Sequence, residues 1–134
     1  MILGVDPGER RVGVAAADEE TAFARPLEVI DRTTTDPVAR IVVLAREHDV
    51  SLVVVGKPLS LSGAAERAVA DTAPFVAELR AALPVEVVEH DERLTTVIAE
   101  RSLRAGGADR AARARLRDAV AAQVMLQGYL DARR

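Results

Sequence analysis

Residues 5–13, VDPGERRVG, join an apolar segment to a turn and then to a second apolar segment. MILGVD, which leads into them, predicts a buried strand that ends at Asp6, and RRVGVAAAD predicts a second strand after the turn. Asp, Pro and Gly are turn formers, and Pro7-Gly8 fits the middle of a type II turn in which Gly8 has a positive φ. The chain is therefore expected to begin with a β-hairpin that carries one carboxylate, Asp6, at its turn end.

Length and composition indicate a single domain, residues 1–134, that is large enough for a substantial core. Apolar residues make up 49% of the 134 and charged residues 29%, as in a soluble globular protein. The absence of cysteine excludes a disulfide scaffold and a thiolate metal site, and two histidines are too few for a His-rich one. No signal peptide precedes the first strand, and no apolar run reaches the ~18 residues of a membrane helix. We expect a cytoplasmic protein with no membrane partner.

The net charge of −3 conceals an asymmetry along the chain. Residues 1–92 carry 9 basic and 17 acidic side chains, whereas residues 93–134 carry 9 arginines and 4 acids. A basic segment of this kind is consistent with a polyanionic partner, and equally with a solvated helical face. Aromatic residues are only 2% of the chain, which argues against a stacking platform for single-stranded bases.

The remaining patterns alternate between strands and helices. Pro26 within 21–30 suggests an edge strand or a bulge, Asp36 and Pro37 fit the N-cap and first position of a helix, and interior Pro74 costs a helix ~3 kcal/mol unless it kinks or restarts. We predict further strands at 21–30, 51–56 and 85–92, and helices at 36–49, 64–83, 94–105 and 115–134. The order βββαβαβαα implies a five-stranded mixed sheet, an antiparallel meander followed by two parallel strands, flanked by helices.

Three acids from distant parts of the chain are predicted to converge. Sites in open α/β sheets form outside the carboxyl ends of strands, where Asp6 and Glu92 end the first and fifth strands. Asp118 lies in the first turns of the predicted last helix, among small residues that let this helix approach the sheet. Each acid also has a plain structural interpretation: Glu92 as a surface acid in a loop, and Asp118 as a partner of the helix dipole.

Clustered carboxylates repel one another unless a cation neutralises them. Carboxylate and water oxygens suit Mg²⁺ or Mn²⁺. Two such ions ~3.5–4 Å apart can activate a water and stabilise the leaving oxygen in phosphodiester cleavage. The three acids are therefore consistent with a divalent-metal site for phosphodiester cleavage, while the plain structural interpretations of Glu92 and Asp118 remain open.

Four blocks of the sequence resemble the YqgF/RuvX family, whose RNase H-like fold is related to that of the RuvC resolvases. They are GVDPGERRVGVA (4–15), VVVGKPLSLSG (53–63), HDERLTT (90–96) and RDAVAAQVMLQGYL (117–130). HDERLTT together with VVGKPL at this spacing is the most specific part of the match. The blocks span nearly the whole chain in the family's order, so the resemblance implies an RNase H-like domain over 1–134.

The resemblance implies a role for each acid, which would act as a metal ligand in catalysis. Asp6 matches the family's first acid, Glu92 in DER the acid after the fifth strand, and Asp118 the acid of the final helix. One departure concerns Asp118, because many relatives flank this acid with residues other than Arg117 and Ala119.

Nucleic-acid contacts are expected beside these acids. Gly8 and Gly13 match the small residues of the family's hairpin and let backbone approach a phosphate, and Arg11 falls where the family usually has Lys or Arg. Lys57 directly follows the fourth strand, and Arg93 continues the DER block. For Arg10 or Arg11 a phosphate contact and plain solvent exposure remain equal alternatives.

Four functions remain open on the sequence. The resemblance implies a nuclease that processes the 5′ end of precursor 16S ribosomal RNA. Its partner would then be a structured RNA. The alternative with the same chemistry is a Holliday-junction resolvase acting on four-way DNA, which implies a homodimer. An actin-like ATP-binding protein would need a second such domain and a second phosphate loop, and the chain is too short for both. A non-catalytic nucleic-acid-binding module would use the basic carboxyl-terminal segment equally well.

Overall fold

The computed structural model describes residues 1–57, 64–91 and 110–133. Within these ranges it contains five strands and three helices. The strands are β1 (Ile2–Pro7), β2 (Arg11–Ala17), β3 (Ala24–Asp31), β4 (Leu52–Lys57) and β5 (Glu86–Asp91), and the helices are α1 (Pro37–Glu47), α2 (Ala64–Ala82) and α3 (Arg110–Ala132). The predicted succession is confirmed wherever it can be followed, and the helix predicted at 94–105 lies outside the described residues. No helix in these ranges is long and apolar enough to cross a bilayer.

The five strands form one mixed sheet in the order β3-β2-β1-β4-β5. β1 and β2, and β2 and β3, pair antiparallel, whereas β1 and β4, and β4 and β5, pair parallel. Short connections give the antiparallel half, and the connections through helices give the parallel half. The carboxyl ends of β1, β4 and β5 consequently lie at one edge of the sheet, as predicted.

The hairpin between β1 and β2 differs in detail from its sequence-based prediction. The strands pair as far as Pro7 and Val12, so Pro7 belongs to the strand and not to the middle of a type II turn. Gly8 lies outside the left-handed region, and its N–H donates to the Arg11 carbonyl at 2.9 Å. A Cβ at Gly8 would lie 2.6 Å from that carbonyl oxygen. Glycine is required here by close backbone approach, and not by a positive φ.

Alternation along the strands sends side chains to two apolar layers. On one face, β-branched and leucine side chains meet α1 and α2; on the other, small side chains meet α3. The first layer includes Leu3, Val5, Val12, Val14, Val53, Val55, Ile41, Leu44, Val76 and Leu79. The second includes Ile2, Ala15, Ala17, Val54, Ala122, Met125, Leu126 and Leu130. Because Ala15 and Ala17 are small, α3 packs close to β2.

Two glutamines fix α3 along the edge of the sheet. Gln127 accepts a hydrogen bond from the Ala24 N–H at 2.9 Å and donates to the Ala22 carbonyl at 3.0 Å. Gln123, one turn earlier, donates to the Ala24 carbonyl at 3.1 Å. These bonds satisfy backbone groups where β3 begins, and they set the position of α3 over β2.

Two local predictions are confirmed. β3 is an edge strand, and the register passes from Glu28 opposite Val14 to Pro26 opposite Ala15, which leaves one extra residue in β3 as a bulge. Asp36 is the N-cap of α1, because its carboxylate accepts from the Val38 N–H at 3.1 Å.

α2 runs through Pro74 as one continuous helix, so it does not restart there. An interior proline removes a helical hydrogen bond and clashes with the preceding turn at a cost of ~3 kcal/mol, partly offset by ~1 kcal/mol from a stiffer unfolded chain. Pro74 is exposed, so alanine there loses no packing. We expect Pro74→Ala to raise the free energy of urea unfolding by about 1–2 kcal/mol. Pro37→Ala is the matched control, because proline is favoured at the first position of α1; an equal gain from both variants would contradict this explanation.

Candidate active site

Asp6 is the penultimate residue of β1 and faces α3. It pairs with Gly13 of β2, and directly opposed residues of an antiparallel pair project from the same face. Ala15 and Ala17 lie on that same face of β2 and pack on α3. The Asp6 carboxylate therefore stands at the carboxyl edge of the sheet, on the side that α3 covers.

Gly13 is the point where α3 touches β2. A Cβ placed on Gly13 would lie 2.0 Å from the carbonyl oxygen of Asp118 and 2.7 Å from its carbonyl carbon. Real Cβ atoms do not approach backbone so closely, so any side chain here would push the helix away. Since Gly13 pairs with Asp6, this contact sets the backbone of Asp118 beside the residue opposite Asp6. Gly4 of β1 acts in the same way, since a Cβ there would lie 2.7 Å from Leu126 Cβ, so two glycines of the sheet let α3 lie directly on it.

The position of Asp118 within α3 corrects one sequence-based interpretation. α3 begins at Arg110, earlier than the predicted 115, because the preceding arginines and alanines are strong helix formers. Asp118 thus lies about two turns inside the helix rather than in its first turns. Helix-dipole stabilisation falls off within the first turn, so it does not account for this carboxylate.

Asp118 is partly buried and forms an ion pair with Arg11. Arg11 Nε lies 2.8 Å from Asp118 Oδ2, and the two side chains are 31% and 26% exposed. The contact is close, but its orientation does not make a hydrogen bond: Oδ2 is buried and accepts none from the part of the chain that the structure describes. The carboxylate oxygen has a counter-charge but no directed donor.

The pKa of the Asp118 carboxyl is raised above its ordinary value. Burial, which disfavours the charged form, is the main cause, and the negative charge of Asp6 adds to it. The positive charges of Arg11 and Arg117 oppose this rise without cancelling it. Two carboxylates close enough to interact, one of them desolvated, form a site that a cation would stabilise.

The residues present fit a divalent metal ion. The donor set consists of carboxylate oxygens, which Mg²⁺ and Mn²⁺ prefer, and Oδ2 of Asp118 is a buried acceptor that receives no hydrogen bond within the described ranges. Among the residues that can be described, no group of three or more His, Asp or Glu side chains comes together. The structure brings together two of the three predicted acids, Asp6 and Asp118. Glu92 immediately follows β5 in the sequence and lies outside the described residues.

The other predicted site residues are placed as follows. Gly8 is in the hairpin loop next to Arg11. Lys57 ends β4 at the expected edge, but it lies on the face of Val53 and Val55, which α1 and α2 cover, and so away from Asp6. Arg93 lies beyond the described ranges, as do residues 58–63. A phosphate contact by Gly8, Lys57 or Arg93 stays a prediction.

Sequence reasoning missed the pairing of Arg11 with Asp118. Both alternatives considered for Arg11, a phosphate contact and plain exposure, left out an internal partner. The signal was present in the strand pattern, because Arg11, Gly13 and Ala15 share one face of β2 and this face meets α3. Gly13 was likewise expected to admit a phosphate, whereas it admits the backbone of α3.

The strand order and the helix against β2 define a RuvC-like domain of the RNase H-like class. The chain superposes on Thermus thermophilus RuvC in complex with a Holliday junction substrate, with a TM-score of 0.56, 21% identity and coverage of 98% of this chain and 94% of that one. It also superposes on the fowlpox virus resolvase with Holliday junction DNA, with a TM-score of 0.55, 10% identity and coverage of 98% and 97%. These similarities establish the fold.

The chain belongs to the YqgF/RuvX family: residues 1–132 match the family described as "RuvX: Holliday junction resolvase". A relative from Chloroflexus aggregans is 45% identical over 134 residues, covering 99% of this chain and 94% of that protein. A relative from Thermobifida fusca is 44% identical over 140 residues, covering 98% and 87%. Both carry the name "Putative pre-16S rRNA nuclease". The resemblance stated from the four sequence blocks is confirmed.

Proposed function

We propose that this chain is a divalent-metal-dependent nuclease that hydrolyses phosphodiester bonds of nucleic acid, with Asp6, Asp118 and Glu92 as its metal ligands. The observation that carries the proposal is the meeting of Asp6 and Asp118 across Gly13, where a buried carboxylate oxygen accepts no hydrogen bond from the residues that the structure describes. Membership of a family of nucleases and resolvases supports the same chemistry.

The protein's own contribution is to hold the acids at fixed positions. Asp6 is fixed by its pairing with Gly13 in a strand that β4 also pairs as far as Val5, and Asp118 is fixed by a helix that contacts Gly13. These carboxylates would hold Mg²⁺ or Mn²⁺, as one ion or as a pair, which would supply a water nucleophile at neutral pH and neutralise charge on the phosphate. Gly8, Arg11, Lys57 and Arg93 are proposed to contact the nucleic-acid backbone, which guanidinium and ammonium groups bind through charge-assisted hydrogen bonds.

The proposed substrate is the 5′ end of precursor 16S ribosomal RNA. The names of the relatives support this choice, since the similarity extends over nearly the full length of both chains. A four-way DNA junction is the second candidate, and the family description supports it. The junction has two-fold symmetry and would require a symmetric homodimer of this chain.

The test compares the wild-type protein with Asp6→Asn on both substrates. A 5′-extended ribosomal RNA precursor and a synthetic four-way junction are each incubated with Mg²⁺, Mn²⁺ or chelator. We expect metal-dependent cleavage of the RNA, reduced about a hundredfold or more in Asp6→Asn, because loss even of groups that merely orient a metal ligand costs about 10–100-fold. The control is Asp49→Asn, an exposed residue at φ 50 where asparagine is well tolerated.

Each outcome has a definite meaning. Symmetric cleavage of the junction that is lost in Asp6→Asn would support the same active site with four-way DNA as its substrate. Metal-independent binding without cleavage of either substrate would contradict the nuclease proposal and favour a binding module. Cleavage that survives in Asp6→Asn would exclude this acid cluster as its source.

A further inference from the structure

We propose that Arg11 is a built-in counter-ion of the metal site, which holds Asp118 in the metal-free protein and must withdraw from Oδ2 when a divalent ion binds. Arg11 thereby lowers metal affinity and neutralises the site when it is empty of metal. The inference rests on the proposed metal-dependent function, and it gives Arg11 a role in the metal-free protein in addition to the proposed phosphate contact.

The geometry of the ion pair is the first argument. Arg11 begins β2 on the face that meets α3, and its Nε lies 2.8 Å from Asp118 Oδ2. This oxygen is buried, and no hydrogen bond of good geometry reaches it from the described residues. Arg11 therefore occupies the acceptor that a metal ion would use.

The balance of charge is the second argument. Asp6 and Asp118 repel each other, as the effect of Asp6 on Asp118 indicates, and Arg11 is the described basic side chain in contact with Asp118. A divalent cation and a guanidinium placed on the same oxygen repel each other strongly at short range. The two cations are thus alternatives at Oδ2, and metal binding carries the cost of displacing the arginine.

The exposure of Arg11 is the third argument, because it makes the exchange feasible. Its side chain is 31% exposed, so the guanidinium can turn into solvent without crossing the core. Exposed ion pairs contribute modestly, which corresponds to an effect of about 1.4- to 5-fold on an equilibrium. Relief of cation repulsion acts in the same direction. We therefore expect removal of the Arg11 charge to tighten metal binding roughly threefold or more.

The experiment is a calorimetric titration of Mn²⁺ into metal-free protein near neutral pH, for the wild type, Arg11→Gln, Arg11→Lys and Arg10→Gln. Arg10 is the matched control: it carries the same charge in the same hairpin, is exposed, and contacts no carboxylate among the described residues. We expect at least threefold tighter binding for Arg11→Gln, less than a twofold change for Arg10→Gln, and an intermediate value for Arg11→Lys. Thermal unfolding in chelator establishes that each variant is folded.

The outcomes separate this inference from the proposed function. Equal or weaker Mn²⁺ binding by Arg11→Gln, with the wild type binding normally, would overturn the counter-ion role and leave the metal site standing. An equal gain in Arg10→Gln would also overturn it, because general electrostatics would then be the cause. No Mn²⁺ binding by any variant would remove the metal site itself, and with it the proposed function.

Discussion

Gly13→Ala is expected to destabilise the protein by about 3 kcal/mol, since overpacking into a well-packed interior typically costs about 1–3 kcal/mol and here the obstacle is backbone. The added Cβ would lie 2.0 Å from the carbonyl oxygen of Asp118, an atom fixed within α3. Neither β2, paired on both sides, nor α3 can yield locally. The helix must therefore move away from the sheet along this contact, which also draws Asp118 away from Asp6.

Thermal and urea unfolding, monitored by circular dichroism in chelator, measure this change. A loss of this size corresponds to a fall of roughly 10 °C in Tm for a domain of this length. Gly128→Ala is the matched control: it lies in the interior of α3, its added Cβ would be 3.7 Å from His90 Nε2, and alanine favours helices by ~1 kcal/mol over glycine. If Gly13→Ala were as stable as wild type, the close approach of α3 to β2 would be refuted.

Asp118→Asn is expected to separate stability from function. In metal-free protein the charged carboxylate is disfavoured mainly by burial, so the isosteric amide should leave stability near neutral pH unchanged or raise it. The same substitution should abolish stabilisation by Mg²⁺ or Mn²⁺ and reduce cleavage about a hundredfold or more, because a proposed metal ligand is lost. Tm with and without Mn²⁺, together with the cleavage assay, measures both effects.

The difference in stability between the wild type and Asp118→Asn should depend on pH, and its direction follows from the pKa shift of Asp118. The pKa of Asp118 is higher in the folded protein than in the unfolded chain, so the folded state binds the proton more tightly. The resulting stability is fully present below the ordinary aspartate pKa of about 3.9 and is lost as pH rises through the folded-state pKa.

Asp118→Asn has no carboxyl that titrates at this position. In chelator, its free energy of unfolding should therefore increase relative to that of the wild type as pH rises across this window. Urea unfolding at a series of pH values measures the difference, with Asp49→Asn as the control. A variant that loses stability relative to wild type over the same range would mean that the attraction of Arg11 outweighs the burial of Asp118.

The order and types of the strands and helices were predictable from the sequence because local patterns determine them. Apolar β-branched runs define the strands, Asp36 and Pro37 start α1, and Pro26 falls at the edge bulge. The position of Asp6 follows in turn, because it ends an apolar run just before turn residues. The corresponding predictions needed no knowledge of which elements touch.

The contacts inside the candidate site were not predictable in the same way. Arg11 pairs with Asp118 only because α3 lies on β2 at Gly13. Alternation along β2 places Arg11 on the face that meets α3, but neither segment indicates which residue of α3 it meets. The start of α3 was missed since helix formers precede Asp118 without a clear N-cap. The type of turn at Gly8 was missed because strand pairing extends through Pro7, a tertiary effect that overrides local turn preference.

The packing of α3 on β2 determines when the candidate site can form during synthesis of the chain. β1 and β2 emerge from the ribosome first, but the acid that they face arrives only with the segment that forms α3. The nascent chain therefore displays Asp6 without Asp118 until translation has passed that helix, and closure depends on long-range contacts, which form late in folding. If the proposed function holds, a nascent chain of this kind cannot cut the RNA around it before α3 has been made and has packed against β2.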